Sequence, residues 1–201
     1  MKQQNFEKTK WKFRYAHGGK LRNQRAGRLA RPLSTKQSLH LVFKANCDCV
    51  RGGLRSSRRF ALTHRILAKY SKRFWIKVEQ ISIQSDHIHL LIRAPRRAKY
   101  AAFLRVFAGQ IAQQFQKEGL LSVTQNSKCN QGVTDTAPGA PSGLARLWRY
   151  RPFSRVIVGF RAYQIVRSYV QLNELEAQGK IRYQKQRLRG LSMQDWDILW
   201  N

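Results

Sequence analysis

The sequence predicts an α+β sandwich in which helices cover a central antiparallel sheet. Three observations carry that prediction. Short alternating or β-branched stretches fall near residues 37–46, 76–83, 87–94 and 144–158; longer stretches at helical spacing fall between and after them; and the resulting order is strand, helix, strand, strand, helix, strand, helix. At 201 residues, with 42% hydrophobic residues including five Trp and ten Phe, the chain can bury one core and carry appendages.

Residues 1–36 read as a basic, largely extended arm. Lys20, Arg22, Arg25, Arg28 and Arg31 are interleaved with Gly18, Gly19, Gly27 and Pro32, a mixture that opposes a packed helix. In the first strand, Leu39, Leu41 and Phe43 alternate with His40, Val42 and Lys44, and Arg51-Gly52-Gly53 then breaks the run. From Ser57 to Phe74, Phe60, Ile66, Leu67 and Tyr70 recur at helical spacing among Arg and Lys, which gives an amphipathic helix with a basic outer face. Residues 76–83 and 87–94 form a hairpin through Gln84-Ser85-Asp86, and Pro95 ends it.

A long helix from about Ala98 to Lys117 should bury Phe103, Val106, Phe107, Ile111 and Phe115. Residues 119–143 are small, polar and aperiodic, and read as a flexible insertion. Leu144 to Val158 supplies a turn and a fourth strand. Gly159 precedes a last helix, about Phe160 to Gln178, closed by Gly179. Residues 181–201 form a basic, then apolar tail expected to dock on the domain or on DNA. The split βαβ order makes residues 37–180 a ferredoxin-like domain with a C-terminal helix.

With 39 Lys and Arg against 10 Asp and Glu, the formal net charge is +29. Such self-repulsion is relieved by a polyanion, and nucleic acid ranks ahead of a membrane surface or an anionic protein. No apolar run approaches the roughly 20 residues of a membrane span, so no membrane partner is expected. The three cysteines, Cys47, Cys49 and Cys129, are expected to be reduced in the cytoplasm. Cys47-Asp48-Cys49 lacks the spacing and the second pair of a zinc site.

The stretch Ser85-Asp86-His87-Ile88-His89-Leu90-Leu91-Ile92 places two imidazoles on one face of a strand, where they can share a ligand. Alone, so short a motif is also open to chance. On the last helix Tyr169 and Asn173 are four apart and share a face, whereas Arg167 lies four beyond Tyr163. Tyr169 is therefore the better candidate. The plainer alternative makes Tyr169 a core tyrosine beside Ile165 and Val166, and Asn173 a helix-end residue.

The chain resembles the single-tyrosine HUH transposases of insertion sequences, and most closely the REP-associated tyrosine transposases of bacteria. The resemblance rests on Asp86-His87-Ile88-His89-Leu90-Leu91-Ile92, on Trp148-Arg149-Tyr150-Arg151-Pro152-Phe153-Ser154-Arg155-Val156, and on Tyr169-Val170-Gln171-Leu172-Asn173 followed by Ala177 and Gly179. It spans roughly residues 37–180. It implies that His87, His89 and Asn173 hold Mg²⁺ or Mn²⁺ and that Tyr169 is the nucleophile that cuts single-stranded DNA. Relatives often carry proline after the asparagine, where this chain has Glu174; whether Glu174 or Glu79 joins the metal shell stays open.

The chemistry fits that assignment. A phenol of pKa near 10 needs a neutralised phosphate to attack, and two imidazoles with an amide oxygen leave positions open on a cation. The expected product is a 5′-phosphotyrosine with a free 3′-hydroxyl, so strands can be rejoined without ATP. Arg22, Arg25, Arg28 and Arg31 of the arm, with Arg149, Arg151 and Arg155, should grip phosphates, while Phe153 or Trp148 could stack on an unpaired base. The resemblance also implies a hairpin-containing single strand as partner and a nucleoid location, and leaves monomer and homodimer open. The alternative is a non-catalytic single-stranded nucleic-acid-binding protein or a repressor derived from a transposase, although the aromatic strand motif of RNA-binding sheets is absent.

Overall fold

Alternation along β2 (Leu39–Lys44) sorts the domain into two faces. Leu39, Leu41 and Phe43 are buried under helices, and His40, Val42 and Lys44 point the other way. The chain is described here as a computed structural model covering residues 15–19, 30–121 and 146–200. Arg22, Arg25, Arg28 and nearly all of the insertion at 119–143 lie outside the described residues.

β2 pairs with β4 (His87–Arg93) on one side and β5 (Phe153–Val156) on the other, and β3 (Lys77–Ile83) pairs with β4. A two-residue strand, β1 (Ala16–His17), extends the β5 edge. The antiparallel order is thus β1-β5-β2-β4-β3, and its four longer strands have the expected ferredoxin-like order. The sequence reading did not anticipate β1, which lies in the segment read as an extended arm. Gly18 follows it at φ +83°, where a Cβ would sit 2.2 Å from the Pro152 carbonyl oxygen, so the close approach requires glycine. Arg31 also returns to the domain: its Nη1 donates to Pro152 O (2.7 Å) and Ser154 Oγ (2.8 Å).

α1 (Ser57–Phe74) and α2 (Arg97–Lys117) pack together over the Leu39 face. α1 ends where Trp75 adopts a left-handed conformation (φ 59°) and Ile76 N–H bonds back to Ser71 O, a helix stop more often made with glycine. Arg59 departs from the expected basic outer face. It is buried, donating to Leu120 O, Arg51 O and Gly53 O, and so ties three loop carbonyls to the helix.

The α2 stripe is close to its sequence reading: Phe103, Phe107, Ile111 and Phe115 are fully buried, with Phe107 stacked on Phe103 (5.3 Å) and edge-on to Phe43 (5.2 Å). Phe107→Ala should therefore cost about 3–5 kcal/mol, by lost burial and the cavity left behind, read as a lower denaturant midpoint with an unchanged slope.

α3 (Phe160–Ala177) lies on the opposite face of the sheet, against β3 and β4. The tail docks on this helix: Leu199, from α4 (Met193–Trp200), joins Leu172 and Ile181 in a second small cluster, and Gln171 Nε2 donates to Leu199 O (2.5 Å). Ser192 and Asp195 exchange side-chain to backbone bonds and start α4 as a capping box.

Candidate active site

On β4, Ile88, Leu90 and Ile92 enter the helix-covered core, which turns His87 and His89 to the α3 face. The two rings meet edge to face with centroids 4.7 Å apart. His87 Nδ1 is hydrogen-bonded to Asp86 Oδ1, which leaves Nε2 as the ring nitrogen open to a ligand. Burial raises the Asp86 carboxyl, but the His87 hydrogen bond and Lys44, 3.4 Å away, outweigh it and hold it below the usual range. Asp86 thus stays ionised as the orienting partner.

His89 is deeper. Its Nδ1 shares a hydrogen bond with His40 Nε2 (3.0 Å) from the neighbouring strand, and its Nε2 is buried with no hydrogen-bond partner. The Tyr169 ring stands edge-on to it, with centroids 5.6 Å apart. The sequence suggests that the last helix must swing its tyrosine to the histidines. In this structure α3 already packs on β3 and β4 and sets the ring there, in the same chain.

Asn173 lies one turn beyond Tyr169, as its spacing requires, but its polar atoms are engaged. Nδ2 donates to Tyr169 O (2.8 Å), and Oδ1 accepts from Arg187 Nη2. Arg187 also makes two bonds to Glu176 (2.8 and 2.7 Å) and lies over the rings of Tyr169 (5.3 Å) and Tyr183 (5.2 Å). A guanidinium thus occupies the amide oxygen that the resemblance gives to a metal. Among the described residues, no three His, Cys, Asp or Glu side chains are grouped to hold a metal ion.

Both open carboxylates are committed elsewhere. Glu79 lies at a register shift in β3, buried between Ser38 Oγ (2.6 Å) and Arg93 (3.2 Å). Glu174 accepts from both Arg55 nitrogens (2.9 and 3.2 Å) and from Ile83 N–H. Burial raises its carboxyl, and the Arg55 hydrogen bonds outweigh that and lower it.

Burial, helped by the charge of Arg155, pushes His40 down to about 4, and burial followed by its cationic and imidazole neighbours lowers His89 as well. Both rings are neutral at pH 7. Below the ordinary imidazole value of 6.5 the unfolded chain takes up a proton that folded His40 refuses, so stability present above pH 6.5 is lost as pH falls towards 4. Unfolding in EDTA should show a loss of roughly 2–3 kcal/mol across that window from His40.

Arg149, Arg151 and Arg155 are all exposed, and Arg155 pairs with His40 across β5 and β2, placing it on the histidine face. Trp148 is not available to a base: its indole N–H donates to Ala108 O (2.9 Å) and its ring packs 5.5 Å from Phe43. Phe153 is half-buried beside Val42. His40 and Arg187 were missed as site residues. His40 carried a signal in its alternation within the first strand; Arg187, in an aperiodic basic tail, carried none.

The described residues form an antiparallel α+β sandwich with two strand histidines facing a tyrosine-bearing helix. Residues 35–129 match the family model described as "Transposase IS200 like". The match includes the histidines and ends before Tyr169.

A solved structure titled "Structure of the REP associates tyrosine transposase bound to a REP hairpin" shares the fold, with a TM-score of 0.53 and 11% identity over 78% of this chain and 77% of that one. A putative transposase from Deinococcus radiodurans aligns with 15% identity over 75% of this chain and 98% of that one, at a TM-score of 0.39. No curated protein matches the chain. No helix among the described residues is long and apolar enough to cross a membrane.

Proposed function

We propose that this chain nicks and rejoins single-stranded DNA in a divalent-cation-dependent reaction, through a 5′-phosphotyrosine on Tyr169. The observation that carries this reading is the buried, unpartnered Nε2 of His89 beside the Tyr169 ring. A buried imidazole nitrogen without a partner is costly unless something binds it, and a cation does so without a further protein group. His87, oriented by Asp86, fits the same role, and Asn173 fits it once Arg187 withdraws. A bound Mg²⁺ or Mn²⁺ would polarise the scissile phosphate and hold it for in-line attack.

The chain's own groups do the rest. Tyr169 Oη gives up its proton as it bonds to phosphorus, the P–O3′ bond breaks, and the leaving 3′ oxygen takes up a proton. Rejoining is the reverse step on another 3′-hydroxyl. Arg149, Arg151 and Arg155 bind the flanking phosphates. The fold neighbour's hairpin-bound state supports hairpin-containing repeat DNA as the substrate.

The test uses hairpin oligonucleotides labelled at either end and incubated with the protein and Mn²⁺. A label 3′ to the cut should remain with the protein on a denaturing gel, and a label 5′ to it should appear on a free strand ending in a 3′-hydroxyl. Cleavage that leaves both fragments free would refute the covalent route.

A second reading, a non-catalytic binding protein or repressor, draws on the Arg187 contact with Asn173. The two readings differ in what Arg187→Ala does. If Asn173 is a ligand, releasing its oxygen from a charged hydrogen bond of about 1.5–3 kcal/mol should tighten Mn²⁺ binding about tenfold or more, measured by spin resonance of free Mn²⁺. Unchanged affinity would remove Asn173 from the metal shell.

A further inference from the structure

His40 joins the histidine pair from outside the His-x-His motif, on the neighbouring strand. Alternation on β2 turns it to the α3 face, and the register sets it opposite Leu91, diagonal to His89. The His40 and His89 rings are nearly parallel, 13° apart in plane with centroids at 5.2 Å, and Nε2 of one meets Nδ1 of the other at 3.0 Å.

A hydrogen bond between two imidazole nitrogens holds one proton, and its position decides what the far side of His89 offers. If His40 donates, neutral His89 carries its proton on Nε2 and presents a buried N–H with nothing to accept it. If His89 donates from Nδ1, its buried Nε2 keeps a bare lone pair. Only the second arrangement can ligate.

We propose that His40 is a positioning residue that fixes His89 as the Nδ1–H tautomer, so that the Nε2 lone pair is offered to a divalent cation beside Tyr169. This rests on the metal reading of His89 given above. The role is one that carboxylates and carbonyls commonly fill behind metal-binding histidines: loss of such a partner weakens metal binding 10- to 100-fold while the ligand itself remains. Here a neutral imidazole on the adjacent strand fills it, and the near-coplanar hydrogen bond between the two rings also fixes the plane of His89.

Two measurements test the proposal. Long-range ¹H–¹⁵N spectra of the metal-free protein report the tautomer of His89 directly, a readout that a packing role would not move. Wild type should show Nδ1–H. His40→Ala should populate Nε2–H and bind Mn²⁺ about 10- to 100-fold more weakly, whereas His40→Gln, whose Oε1 is an acceptor near the same place, should restore both.

Wild-type His89 as the Nε2–H tautomer overturns the proposal even if His40→Ala does not fold. So does His40→Ala with unchanged tautomer and affinity. Wild type that shows Nδ1–H but binds no Mn²⁺ overturns the metal reading, and with it the purpose assigned to His40.

Discussion

Tyr169→Phe should abolish the covalent protein–DNA adduct and strand cleavage together, leaving at most a background some 10⁴-fold below wild type, while DNA binding and folding change little. The substitution removes one oxygen. The ring stays edge-on to His89 and under the Arg187 guanidinium, contacts that do not use the hydroxyl. A core tyrosine would behave oppositely, losing stability and sparing chemistry. Gel analysis of adducts, paired with a denaturant melt, separates the two.

His89→Ala carries the second large effect. It removes the unpartnered Nε2 and frees His40 from its hydrogen bond to the His89 ring. Metal affinity should fall by more than the ~100-fold typical of an outer-shell loss, and cleavage should fall with it at fixed Mn²⁺. Hairpin binding should persist, because the proposed phosphate contacts come from arginines on other elements. If His89→Ala instead abolishes binding and cleavage equally, the imidazole is a structural part of the sheet. Excess Mn²⁺ offers a further discrimination: it should recover part of the cleavage in His87→Ala, where the lost imidazole is partly exposed, more readily than in His89→Ala, where it is buried.

Much of this was legible in the sequence, for identifiable reasons. Periods of two and of 3.6 are written into Leu39-Leu41-Phe43, the 87–93 strand and the Phe103-Phe107-Ile111-Phe115 stripe, because burial on one face demands them. The i, i+4 spacing of Tyr169 and Asn173 likewise fixes their common face whatever they do.

Other features have no local signature. Ala16–His17 is a strand only because β5 offers an edge and Gly18 permits close approach to Pro152. Arg59 reads as surface charge, and becomes interior because three loop carbonyls converge on it. Arg187 reaches Asn173 through the docking of a tail whose apolar residues were visible but whose landing place was not. Those are tertiary facts, set by which surfaces meet.

The central claim is that one chain's Tyr169 is the attacking group at the His87–His89 pair. Its most direct test is peptide mapping of the DNA adduct formed by wild-type protein in Mn²⁺. Digestion after Arg167 and Lys180 releases residues 168–180, a peptide with a single tyrosine. Attack by Tyr169 places a nucleotide phosphate on that residue of the peptide, lost when EDTA is present during the reaction. A nucleotide on Tyr163 or Tyr183, or cleavage that proceeds with no modified peptide, would contradict it.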